Sequence, residues 1–216
     1  MRRLLLKGVV GLLLVAACGP TNVTILASTP SSVSVQSSDV PKGLTKCSQS
    51  GDVNKYLNEL KASDPTSYDS TKAEWDQAKK DGATGAEFTF YASSQNDCSS
   101  LLKGSSGSAP STAKVIGSVV IQFKDAASAS KASTTESILG FDRASLRQAA
   151  AAGFTVTEGT KTGLGANSIV VSGSFGGTTL FVAAWSNKAF YLVVIGENED
   201  ATSMGHVATA ANGRVH

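Results

Sequence analysis

The stretch from Ser168 to Ile195 constrains the fold most. Three runs rich in apolar and β-branched residues, Ser168 to Phe175, Thr178 to Trp185 and Ala189 to Ile195, are separated only by Gly176-Gly177 and by Ser186-Asn187-Lys188. A two-residue glycine turn joins antiparallel neighbours, because its central residues need positive φ. The spacing predicts a three-stranded antiparallel meander. Alternation places Phe181, Ala183 and Trp185 on one face of the middle strand, and Phe190, Leu192 and Val194 on one face of the next. Aromatics at such positions pack across strands as core. The alternative is an aromatic platform for a ligand, so Trp185, Phe181 and Tyr191 are the candidate ligand or partner surface.

Upstream, the pattern alternates between helix and strand. Val53, Tyr56, Leu57 and Leu60 fall at i, i+3, i+4 and i+7, behind Asp52 as cap and ahead of the Asp64-Pro65 break. Thr71 and Glu74 read as a capping box for a second helix through Trp75 and Ala78, stopped at Gly82. Ala86, Phe88, Phe90 and Ala92 then alternate as a half-buried strand. Val115 to Phe123 is apolar on both faces and predicts a central strand covered on both sides. Asp125 to Leu139, Asp142 to Ala152 and Ala201 to Asn212 predict helices, and Lys103 to Ser111 a glycine- and serine-rich loop. The fold class expected is α+β: an antiparallel sheet with a C-terminal three-stranded meander and helices packed on it. This element order is similar to the Mog1/PsbP-like sandwich found in several envelope proteins, a likeness of architecture that implies no activity.

The first residues give an address. Arg2, Arg3 and Lys7 precede an apolar core through Val9, Val10 and Leu12 to Val15, and Leu14-Val15-Ala16-Ala17-Cys18 closes it with small residues and a cysteine. The apolar run is shorter than the roughly 20 residues that span a bilayer. The segment resembles a bacterial lipoprotein signal peptide. That resemblance implies cleavage before Cys18, acylation of its sulfur, and anchoring to a membrane on the extracytoplasmic side of the cell envelope. Residues 1–17 are read as signal peptide, 18–43 as lipidated cysteine plus a Ser/Thr/Pro-rich tether, and 44–216 as one globular domain. An edge strand through Val33 and Val35 is the alternative for part of the tether.

Removal of residues 1–17 takes away three basic and no acidic residues, so 16 basic and 17 acidic residues remain, a net charge of −1. Neither that balance nor any Lys/Arg cluster suits nucleic acid. Beyond Cys18, only Cys47 and Cys98 remain, and an even pair in an exported chain predicts a disulfide closing a loop of about 50 residues, stabilising by about 3 to 4 kcal/mol.

No catalytic constellation is expected. Gly159 to Gly165 carries Lys161 but lacks the Lys directly after the last glycine, and the following helix, of a phosphate loop. The two histidines, His206 and His216, are both C-terminal. The acidic turn Glu197-Asn198-Glu199-Asp200 lacks the spacing of a calcium loop, and acids there suit a helix N-terminus. The reading is a non-enzymatic module with no metal or cofactor, held by its lipid and binding a protein or cell-envelope partner through the sheet face or an edge strand. A carrier or sensor with a small-ligand pocket between helices and sheet is the alternative.

Overall fold

In the computed structural model the described residues are 27–101, 112–135, 139 and 141–216. The signal segment, Cys18 and the loop expected over 103–111 lie outside them. The first helix, α1 (Pro30–Val33), is a single turn set by a capping box between Thr29 and Ser32, with proline at its first position. Two short strands follow, β1 (Thr45–Lys46) and β2 (Gly51–Asp52), and then α2 (Val53–Ser63) and α3 (Pro65–Lys80). Asp64 serves both helices: its amide donates to the Leu60 carbonyl at 2.7 Å to end α2, and its carboxylate accepts from the Ser67 amide at 3.1 Å to start α3. The capping box expected at Thr71 is therefore corrected. Asp64 and Pro65 provide a cap and a first position earlier in the chain, and the helix runs straight through Thr71.

After a positive φ of 102° at Gly82 come β3 (Ala83–Ala92), the unanticipated α4 (Gln95–Leu101), β4 (Val115–Phe123), α5 (Ala126–Thr135) and α6 (Arg143–Gln148). The chain ends with β5 (Thr155–Glu158), β6 (Ser168–Phe175), β7 (Thr178–Asn187), β8 (Phe190–Glu197) and α7 (Ala201–Gly213). The meander is present as expected, in the register Trp185 with Leu192 and Phe181 with Gly196. Gly176 and Gly177 both hold positive φ in its first turn. All strands pair antiparallel in the order β1-β3-β4-β8-β7-β6-β5, with β2 also on β3. β4 is interior and buried along nearly its whole length.

Helices close both faces. On one, α2, α3 and α5 bring Leu57, Trp75, Ala78 and Ala129 onto Phe88, Ile121, Val171 and Val193. On the other, Met204, Val207 and Ala211 of α7 cover Ile116, Ala183, Trp185 and Leu192. The small residues of α7 and the sheet let them approach closely, and a Cβ at Gly196 would sit 2.6 Å from the Met204 sulfur. The predicted disulfide is present: Cys47 and Cys98 are bonded with Cα atoms 5.5 Å apart, tying the segment after β1 to α4.

The boundary drawn at residue 44 is corrected. From Ser28 onward the supposed tether is packed, with Val33 and Val35 0 and 1 % exposed against the α7 face of the sheet. They form neither free chain nor edge strand. Pro30 opens a helical turn, and the one polar residue between the valines has buried partners: Ser34 donates to Thr89 at 2.7 Å and hydrogen-bonds Ser118 at 2.8 Å. Such a segment reads as low-complexity only while its hydroxyls are counted as solvated.

Candidate functional site

The aromatic group singled out from the sequence is not a platform. Trp185 and Phe181 are 0 and 4 % exposed beneath α7, and the Trp185 indole donates to Asn212 Oδ1 at 2.9 Å. Tyr191, 4 % exposed, lies on the opposite face of the sheet, because strand alternation separates it from Phe190 and Leu192. Its hydroxyl is pushed above its ordinary range by burial. These three side chains do not converge, so the candidate surface built on them is corrected to core.

Other residues weighed from the sequence are occupied structurally. The Ser168 hydroxyl, fully buried, lies within hydrogen-bond distance of the Gly165 carbonyl at 2.6 Å, the Gly159 carbonyl at 2.9 Å and the Thr162 hydroxyl, closing the glycine run on itself. Asp200 caps α7, accepting from the Ser203 amide at 2.8 Å, while Glu199 is buried with Lys114 Nζ 3.5 Å from its Oε1. His206 and His216 are exposed. Among the described residues no group of three or more His, Cys, Asp or Glu is arranged to hold a metal.

What remains open is an edge of the sheet. β3 is ten residues long, but on the side away from β4 it is covered only in pieces: β1 pairs with Tyr91 and Ala92, and β2 with Glu87 and Phe88. Ala83 to Ala86 have no strand beside them there among the described residues. A cleft of about 450 Å³ lies along this stretch. Its floor runs from Thr84 to Glu87, α3 contributes Trp75 and Lys79 to one wall, and α1 contributes Pro30 and Ser31 to the other. The end of β2 and start of α2, Asp52 to Asn54, close it at the top.

The backbone parity of this edge follows from its covered part. The Phe90 amide donates outward to Ser50 Oγ at 3.0 Å, and the Phe90 carbonyl accepts from the Cys47 amide at 2.8 Å. In an antiparallel strand, outward-facing groups recur every second residue. Phe88 therefore faces outward to β2, and Ala86 faces outward into the cleft. Thr84, exposed, sits at a bulge, since Ala83 pairs with Phe123 and Gly85 with Gln122.

The cleft is acidic at its closed end. Glu87 is half-buried and makes no ion pair among the described residues. Burial raises its pKa, opposed by the charges of Lys46 and Lys55 and reinforced by that of Asp52. Lys55 is engaged elsewhere, its ammonium donating to the carbonyls of Ser48 and Ser50. Across the cleft, Lys79 is paired with Asp76 at 2.8 Å.

A second cleft, about 430 Å³, lies where the N-terminal segment meets the C-terminus, between Ser28, Thr29, Ser32, Arg214 and His216. Its charge is already neutralised, because Arg214 is held by Asp39.

Sequence reasoning missed the β3 cleft because its walls come from α1, α2 and α3. The one available signal was the mismatch between a long alternating run ending at Ala92 and the short segments before it that had to cover its edge. Comparison with protein-family models, curated proteins and solved structures gives no match.

Proposed function

We propose that this chain is a lipid-anchored, non-catalytic module of the cell envelope that binds a protein partner on the extracytoplasmic side. One observation carries the protein-binding part: both faces of the sheet are closed by helices, while the edge of β3 is left in an open cleft beside Trp75 and Pro30. An unpaired strand edge offers backbone donors and acceptors in a row, a surface that suits polypeptide. Both described clefts are open rather than enclosed, which favours a partner over a stored small ligand.

The anchor rests on the lipobox ending at Cys18. The packed segment shortens the link that such an anchor would use. Only nine peptide steps separate Cys18 from Ala27, a reach of at most about 30 Å, so the domain would be held close to the bilayer. Among the described residues no helix is long and apolar enough to cross a membrane.

Fractionation tests the reading. Cys18→Ser is expected to leave the membrane fraction or to accumulate unprocessed, and the anchored wild type should crosslink to at least one other envelope protein. A processed Cys18→Ser protein still in the membrane fraction would overturn the anchor, and a wild type that crosslinks to nothing would overturn the binding role.

A further inference from the structure

We infer that the open edge of β3 takes an extended peptide segment of the partner as an added strand, with a basic side chain of that segment over Asp52 and Glu87. The inference rests on the protein-binding reading above and names the kind of segment recognised.

Three observations converge on it. The edge is recessed, and its outward backbone groups are spaced as a ladder that stops halfway: Phe90 is satisfied by Ser50 and Cys47, Phe88 by β2, and Ala86 by no strand. A strand laid in line with β2 would continue that ladder at Ala86, since neighbouring strands sit about 4.8 Å apart. The opposite edge of the sheet is protected differently. β5 is only four residues long, and its last residue, Glu158, is gripped by Arg147 at 2.6 Å and 2.9 Å and by Arg143 at 3.3 Å. Short, charge-flanked edges resist pairing; β3 is ten residues long, and its one register shift, between Ala83 and Gly85, leaves the regular ladder at Ala86 intact. Of the apolar wall residues, Pro30 is half-buried and offers surface on which a peptide side chain can rest, while Trp75, 7 % exposed, adds little beyond its rim.

Charge selects the sequence that fits. Glu87 is half-buried without a contacting cation, Asp52 stands beside it, and Lys55 is tied to backbone carbonyls. A lysine or arginine at the matching position of the incoming strand would compensate both carboxylates, and an acidic residue there would be rejected. The floor residues Gly85 and Ala86 are small, and the Pro30 ring packs over Gly85, its Cγ 3.7 Å from where a Cβ would sit.

The test uses the full chain in its own membranes, with a photoreactive phenylalanine placed either at Thr84, in the cleft, or at Phe175, 73 % exposed at the far hairpin. Crosslinked fragments are sequenced, and a synthetic peptide of the mapped segment is titrated onto the full chain in detergent. The expected result is capture at Thr84 of an extended segment containing Lys or Arg. Methylation of the peptide amides that face β3 should weaken binding at least tenfold, and Glu87→Lys should do the same.

Undiminished binding of the methylated peptide overturns the strand-addition inference, whatever Glu87→Lys does to folding. So does a Thr84 crosslink to a second copy of this chain or to its own residues 19–26. Capture at Phe175 but not at Thr84 sinks the inference and leaves the protein-binding reading standing, and capture at neither position removes both.

Discussion

Arg214 holds both carboxylate oxygens of Asp39, with Nη1 3.0 Å from Oδ1 and Nη2 2.6 Å from Oδ2, and its Nη2 also donates to the Ser34 carbonyl at 3.0 Å. The two ends of the described chain are thereby latched together. Ser28 adds to the latch, donating to the Arg214 carbonyl at 3.0 Å and accepting from the His216 amide at 2.8 Å. A bidentate pair with one nearly buried partner is worth more than an exposed ion pair, because a lone Asp39 carboxylate would stay desolvated.

Arg214→Ala is expected to destabilise by about 2 to 3 kcal/mol, and Asp39→Ala by less, since Arg214 can turn to solvent. A double-mutant cycle read by urea unfolding checks the coupling. Limited proteolysis should cut the segment between Ser34 and Gly43 faster in Arg214→Ala. Additive single effects would show that the latch contributes nothing.

Trp185 is fully buried and bonded to Asn212, so Trp185→Ala is expected to cost about 3 to 5 kcal/mol. Trp185→Phe keeps most of the packing and removes one of the two hydrogen bonds that Asn212 Oδ1 accepts, the other coming from Asn187 at 2.9 Å, and should cost distinctly less. Equilibrium unfolding followed by circular dichroism measures both. A small loss in Trp185→Ala accompanied by lost partner binding would return this residue to the functional surface.

The Cys47–Cys98 bridge closes a separation of 51 residues and holds the short strands that cover the upper half of β3. Its removal in a Cys47→Ala, Cys98→Ala chain should cost about 3 to 4 kcal/mol, and exchange of the Phe90 amide should quicken. Mass spectrometry without reductant should find the two cysteine peptides linked; two alkylatable thiols would contradict the pairing.

Hydrogen bonds from Arg147 and Arg143 hold the Glu158 carboxyl at a pKa of about 2, below its ordinary 4.5. A depressed carboxylate stabilises the folded state above its unfolded pKa and loses that contribution as pH falls through the folded one. Glu158→Gln should therefore be less stable than wild type at neutral pH by up to about 1 kcal/mol, the scale of a surface pair. The gap should close between pH 4.5 and 2. Glu87 runs the other way: desolvation raises its pKa, so Glu87→Gln should match wild type in acid and become the more stable of the two as pH rises through the carboxylate range. Thermal melts across that range read both.

Local chemistry made the meander, the Asp52 cap and the buried β4 legible, because two-residue glycine turns, Asx caps and double-sided apolar runs each report on their own neighbourhood. The packed segment from Ser28 to Val40 was not legible. Its burial depends on Thr89, Ser118 and Asp39 finding partners that are dozens to more than a hundred residues away. The aromatics of β7 and β8 were legible as alternating residues, but their core role depended on α7 covering one face and α5 the other. The β3 cleft lay furthest from view. An edge is open only by virtue of what does not pair with it, and local pattern carries no record of that.

Amide hydrogen exchange at Ala86 in the free, full chain tests the central claim most directly. Glu87 and Thr89 face β4, and Phe88 faces β2, so their amides should be strongly protected. The Ala86 amide, pointing into the cleft, should exchange orders of magnitude faster and become protected only when a partner strand is bound. Slow exchange at Ala86 in the free protein, matching that of Glu87, would mean that the edge is already occupied and would contradict the account.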